Sequence, residues 1–275
     1  MNNQVEQINI RKINGAQITE TSDKVAVEEP LEILLDYSTS SGRIQKNIAV
    51  TMRTPGNDRE LAAGFLFTEG IIQNGSAIHE LKQPDENRIL VILKENTIPI
   101  LANPARNFYS TSSCGICGKA SIDAIRTVSV YGKENDTISL NASILYHLQD
   151  NLKKQQLAFE ETGGIHASGL FDFHGNFITL REDVGRHNAL DKIIGAALLE
   201  GKLPLTNNLL FLSGRASFEL VQKAVMAGIK VIVAVGAPSS LAVEMAKETG
   251  VTLVGFLRNN RFNVYAGMGR VMTTN

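Results

Sequence analysis

Cys114 and Cys117 are the only cysteines in this 275-residue chain, and they lie two residues apart in "NFYSTSSCGICGKASID", residues 107 to 123. The C-x-x-C spacing serves a disulfide, half of a metal site, a redox pair or a thiol that carries sulfur. A structural zinc takes four ligands, and the chain has neither a second cysteine pair nor an H-x₃₋₅-H to complete the set. An iron–sulfur cluster held by one chain also takes four cysteines, so no metal site is expected. Inert packing cysteines prefer apolar surroundings, whereas this segment is polar and glycine-rich. A thioredoxin-type pair sits at a helix start within a βαβ unit, and Gly115 and Gly118 argue against a rigid helix start. A nucleophilic thiol on a loop suits receiving a sulfur atom at one place and releasing it at another. The second thiol then discharges the first by thiol–disulfide exchange.

A second constellation combines His166, Asp183, Arg186, His187, Asn188 and Asp191. Taken singly, each also fits a helix cap, a surface charge or a satisfied histidine. Together they are expected to form a polar functional pocket. "ASGLFDFHGNFITLRED" reads as two strands about a turn at His174-Gly175-Asn176, which brings His166 to Asp183. The next helix, "EDVGRHNALDKIIGAALLEG", carries Arg186, His187 and Asn188 in its first turn, and a helix start attracts anions.

A third feature is an edge. From Asn208 the chain reads strand-helix-strand-helix-strand, the helices ending at Gly228 and Gly250, which implies parallel strands with right-handed crossovers. Ligands bind beyond the carboxyl ends of such strands. Those ends are Ser213-Gly214-Arg215, Gly236 to Ser240, and Phe256-Leu257-Arg258-Asn259-Asn260-Arg261. Arg215, Arg258 and Arg261 match phosphate geometry. Neither G-x-G-x-x-G nor a Walker loop is present, which argues against NAD and ATP.

These residues need a scaffold. Before residue 100, short alternating runs ("INIRKI", "PLEILLDY", "IQKNIAVTM", "NRILVILK") read as strands, interrupted by a helix at "NDRELAAGFLFTEG" with Asn57 or Asp58 as N-cap. The expected organisation is a β-rich part over 1–105, a flexible cysteine loop over 106–122, and an α/β domain with parallel strands over 123–275. With 43% hydrophobic and 20% charged residues the composition is that of a soluble globular protein. A net charge of −1 gives no bulk attraction for DNA, RNA or an anionic membrane. The polar N-terminus lacks signal-peptide order and no apolar run approaches a membrane span, so a cytoplasmic location is expected.

The strings "SCGICG", "TGGIHASGL", "EDVGRHNALDKIIG", "SGRASFELVQKA", "GAPSSLAVEMA" and "TLVGFLRNNRFNVY", in this order, resemble the FdhD family of formate dehydrogenase accessory sulfur carriers; "LAAGFLFTEGII" resembles the family's GFL-x-x-EGI segment. The resemblance runs from about Leu61 to Tyr265. It implies a sulfurtransferase that accepts persulfide sulfur from a cysteine desulfurase on Cys114, with Cys117 assisting. The sulfur would pass to the molybdenum cofactor, bis(molybdopterin guanine dinucleotide), which is bound transiently before formate dehydrogenase receives it. The guanine-nucleotide part is assigned by the resemblance to Phe256 through Arg261, and Ser213, Gly214, Arg215, His166, Arg186 and His187 complete the expected cofactor-binding set. A cytidine-deaminase-like fold and a homodimer are further implications. Deamination itself is not expected: zinc deaminases use H-x-E followed by P-C-x-x-C, and this chain has His166-Ala167-Ser168 with its C-x-x-C upstream. The competing functions are a non-catalytic cofactor-binding chaperone and a thiol-disulfide oxidoreductase.

Overall fold

The computed structural model describes residues 4–101, 131, 138–258 and 260–273. The expected loop at 106–122, with Cys114 and Cys117, lies outside the described residues, as does Asn259.

The chain begins with a ribbon, β1 (Val5–Asn14) against β2 (Gln17–Ala26), in which ten residue pairs align about Gly15. β3 (Glu29–Thr39), β4 (Gly42–Arg53), β5 (Ile78–Asp85) and β6 (Arg88–Leu93) form a four-stranded sheet in the order β4-β3-β6-β5. The alternating runs did become strands. β2 and β5 escape a periodicity reading because QITETSDKVA and IHELKQPD hold no sustained apolar alternation. α1 (Asp58–Thr68) crosses between β4 and β5 in sequence. Its N-cap is Asn57, in a left-handed conformation (φ 59°) that makes no side-chain cap bond, while Asp58 turns to Arg53 instead at 3.0 and 3.2 Å.

After β7 (Leu140–Asn141) come α2 (Ala142–Lys153) and α3 (Leu157–Thr162), neither marked by the sequence motifs. There follow β8 (His166–Asp172), β9 (Phe177–Asp183), α4 (Arg186–Leu199), β10 (Asn208–Leu212), α5 (Phe218–Met226), β11 (Val231–Ala234), α6 (Ser240–Thr249), β12 (Thr252–Arg258), β13 (Arg261–Ala266) and β14 (Val271–Met272). The six-stranded sheet runs β13-β12-β11-β10-β8-β9. β10, β11 and β12 are parallel, while β8, β9 and β13 run antiparallel to their neighbours. The architecture is therefore mixed α/β, with parallel strands at the centre of one sheet.

The apolar strings "NLLFL" and "VIVA" are buried on both faces because helices cover both. Side chains alternate across the sheet. Leu209, Phe211, Val231 and Val233 pack with Leu145, Leu148 and Leu152 of α2. Leu210, Leu212, Ile232 and Ala234 pack on the other side with α4, α5 and α6. That second core continues without a break into Leu31, Ile33, Ile89 and Val91 of the N-terminal sheet.

The join is made by α1 against α4. A Cβ on Gly195 would fall inside van der Waals contact with the Glu60 carbonyl oxygen, and one on Gly64 with that of Asp191. The helix backbones touch because neither residue has a side chain. No helix among the described residues is long and apolar enough to cross a membrane.

Candidate functional site

The β8–β9 hairpin pairs His166 with Asp183, as the turn chemistry predicted. Asp183 points inward. Wholly buried, it receives Lys192 Nζ at 2.8 Å and the backbone N–H groups of Thr54 (3.2 Å) and Gly185 (2.8 Å). Lys192, equally buried, also donates to the Thr54 carbonyl at 2.8 Å. Asn188 donates to the Met52 carbonyl (2.7 Å) and to Asp183 (3.1 Å). Asp191 lies on the α5 side, held by Lys223 at 2.9 Å and by the Thr68 hydroxyl at 2.8 Å. Three members of the expected pocket, Asp183, Asn188 and Asp191, are thus interior joints between the N-terminal sheet and the α/β layer. The sequence showed their polarity; the surface that α1 and β4 lay over them turned it inward.

His166, Arg186 and His187 stay together. His166 is half-buried at the start of β8. Burial first, then the Arg186 and His187 charges, hold its ring below the ordinary 6.5, so it is neutral at pH 7. His187 is buried, with Nε2 3.3 Å from Ser217 Oγ and 3.4 Å from Glu219 Oε2. Burial acts to raise the Glu219 carboxyl, but the hydrogen bond and charge of His187 hold it below the usual glutamate range. Two nitrogens here are buried without a hydrogen-bond partner among the described residues, His187 Nδ1 and Arg186 Nε. Ser217 and Glu219 lie in the string "SGRASFELVQKA", but nothing in it singled them out as partners of His187.

The three strand ends are stitched into one rim. Gly236 N–H donates to the Gly214 carbonyl at 2.9 Å, and Phe256 N–H to the Gly236 carbonyl at 3.2 Å. Ala216 pairs with Pro238 as an isolated bridge. Ser217 and Ser239 then stand as the N-cap residues of α5 and α6, and Ser239 Oγ accepts from Ala242 N–H at 3.2 Å.

The polar cluster and the rim are also continuous. Ser213 N–H donates to the Ala167 carbonyl (3.0 Å), and Ala167 N–H donates back to Ser213 Oγ (2.8 Å). The His166 ring reaches Gly214: a Cβ built there would lie 3.4 Å from its Nδ1. This continuity had no sequence signal, because it requires β8 to insert between β9 and β10.

Phe256 is the unusual residue of the rim. Its φ is 56°, a left-handed value that costs a bulky residue about 1–3 kcal/mol. Its side chain is nonetheless 42% exposed. Arg258 and Arg261 are register partners at the end of the β12–β13 hairpin, both exposed, as is Arg215. None of the three makes an ion pair with a described carboxylate. Leu257, by contrast, is buried with the α2-side core. An exposed ring and uncompensated guanidiniums suit a flat, phosphate-bearing ligand.

A family model described as the FdhD/NarQ family matches residues 26–272. The chain belongs to that family. It is 45% identical over 276 residues to the sulfur carrier protein FdhD of Streptomyces avermitilis, an alignment spanning 97% of this chain and 95% of that protein. It is 40% identical over 268 residues to the protein of the same name from Sulfolobus acidocaldarius, spanning 98% and 99%. A solved structure of a formate dehydrogenase accessory protein from Desulfotalea psychrophila superposes with a TM-score of 0.75 at 26% identity, covering 98% of this chain and all of that one. Family membership spans both the N-terminal sheet and the α/β layer, so the joint at Gly64 and Gly195 falls within the matched length.

Proposed function

We propose that this protein is a cytoplasmic sulfur carrier that loads sulfur onto the molybdenum cofactor for formate dehydrogenase. The observation that carries the reading is the rim, where the exposed, left-handed Phe256 and Arg258 and Arg261, neither paired with a described carboxylate, stand at the ends of adjacent strands. A guanine base stacks on such a ring, and guanidiniums hold its phosphates. Bis(molybdopterin guanine dinucleotide) is the substrate with that chemistry. His166, Arg186, His187 and Ser213 to Arg215 extend the binding surface along the same edge.

The sulfur step balances without an external oxidant. The Cys114 thiolate attacks the sulfane sulfur of a cysteine desulfurase persulfide; the new S–S bond forms on Cys114 and the desulfurase thiolate leaves. Attack by Cys117 on the Cys114 sulfur then closes a Cys114–Cys117 disulfide and releases the sulfane sulfur as sulfide to the cofactor. A cellular thiol reduces the disulfide to restore the carrier. The helix–sheet alternation from β8 to β12 supports a cytidine-deaminase-like layer without the deaminase glutamate. We also propose a homodimer as the working form.

The test is intact mass after incubation with a cysteine desulfurase and cysteine. Wild type gains sulfur that a reductant removes, and Cys114→Ala gains none. A wild type that binds guanine nucleotide yet takes up no sulfur would make the protein a cofactor-binding chaperone. Rapid reduction of insulin disulfides would make it an oxidoreductase.

A further inference from the structure

On the α2 side of the six-stranded sheet a cavity of about 480 Å³ opens between α2, α3 and the ends of β8, β10 and β11. That volume falls within the about 300–1,000 Å³ of small-molecule sites. None of the described residues of the Phe256–Arg261 segment lines it. Its apolar wall is Ile165, Phe211 and Val235, and the half-exposed Phe159 ring adds a flat surface.

The polar wall is one-sided. Gln149 and Lys153 come from α2, Gln156 from the start of α3, and no described lining residue is acidic. Gln156 is only 5% exposed, yet its Nε2 has no hydrogen-bond partner among the described residues. A buried amide donor of this kind is satisfied in nearly all native proteins, so one that lines a cavity awaits an acceptor. Ser213 Oγ already accepts from Ala167 N–H, which leaves its own proton to donate. His166 closes the end nearest the rim.

An apolar floor, an aromatic flank and a row of donors describe a flat ring whose edge offers carbonyl oxygen. We propose that this cavity binds a fused bicyclic ring with a lactam edge, its carbonyl accepting from Gln156 Nε2. Two rings of the proposed substrate have this chemistry, pterin and guanine. With guanine placed at Phe256, the pterin is the ring left for the cavity, and His166 and Gly214 mark the passage between the two. The inference rests on the sulfur-carrier reading and assigns that substrate a second subsite.

The experiment is calorimetric titration of the full chain with pterin-6-carboxylate and, separately, with GMP. Wild type is compared with Gln156→Leu, which removes the donor at similar volume, and Val235→Phe, which fills the cavity; Arg261→Ala reports the rim. Thermal melts verify that each variant is folded. At least a tenfold loss of pterin-6-carboxylate affinity in both cavity variants, with Arg261→Ala unaffected, is the expected result. The same pattern for GMP instead also supports a lactam-ring cavity, with guanine as its occupant. Affinity for both probes within twofold of wild type in folded Gln156→Leu and Val235→Phe overturns the proposal, as does a wild type that binds neither. If GMP still weakens in Arg261→Ala while the cavity variants do nothing, the cavity assignment fails alone. If wild type takes up no sulfur from the desulfurase, the sulfur-carrier reading fails, whatever the cavity binds.

Discussion

The α1–α4 joint and the strand-end rim contain the same kinds of residue and treat them oppositely. At the joint, Lys192, Asp183, Lys223 and Asp191 are buried and paired, with Thr54, Thr68 and Asn188 filling the remaining hydrogen-bond positions. At the rim, Arg215, Arg258 and Arg261 face solvent without a described carboxylate. At the start of α4, His187 Nδ1 and Arg186 Nε are buried and have no partner among the described residues. Buried charges survive only when paired and hydrogen-bonded. A saturated polar network holds two layers together, whereas an unsaturated one is available to a ligand.

The strongest challenge to this contrast is Gly195→Ala. One methyl group would meet the Glu60 carbonyl across the helix crossing, where backbone leaves no room to relax. The variant should lose cooperative thermal unfolding, and a normal melt would show that α1 and α4 can part without cost. Next is Lys192→Met, which leaves Asp183 buried and uncompensated. A loss of about 3–5 kcal/mol is expected in urea unfolding, and a loss below about 1 kcal/mol would remove the joint from the stability account.

The rim should respond in the reverse way. Phe256→Gly relieves a left-handed backbone, so stability holds or rises by about 1 kcal/mol, while GMP affinity drops about tenfold with the lost stacking surface. A variant that melts lower and binds GMP normally would place Phe256 with the joint. The smallest effect belongs to His166. Its folded value lies below 6.5, so the unfolded chain binds the proton more readily and stability declines as pH falls beneath 6.5. Ring titration by NMR should give a midpoint below 6.5, and Arg186→Gln should move it upward by removing a positive neighbour. Because burial is the larger cause, the midpoint should stay depressed.

Much of the scaffold is legible in local signals. Alternation marks β1, β3, β4 and β6, the His174-Gly175-Asn176 turn marks the β8–β9 hairpin, and Gly228 and Gly250 end the helices of the parallel unit. The polar cluster was legible only by composition. Asp183 and Asp191 look as available as His166 in sequence, and nothing local says that α1 will cover them. α2 and α3, which form one wall of the cavity, carry no motif, and Gln156 becomes notable only because it is buried without a partner among the described residues.

By itself the sequence determined the types of β1, β3, β4, β6 and α1 and the succession from β8 to β12, with the three loops at the strand ends and the residues able to do chemistry, because periodicity, turn preference and side-chain chemistry are local properties. Tertiary structure alone decided which of those residues stay exposed and which are buried in pairs. Gly64 and Gly195 let two helices touch and so internalised one set of charges. The insertion of β8 beside β10 carried His166 to Gly214 and merged two motifs into one edge. Burial and pairing depend on which surfaces meet, and surfaces distant in sequence meet only in the folded chain.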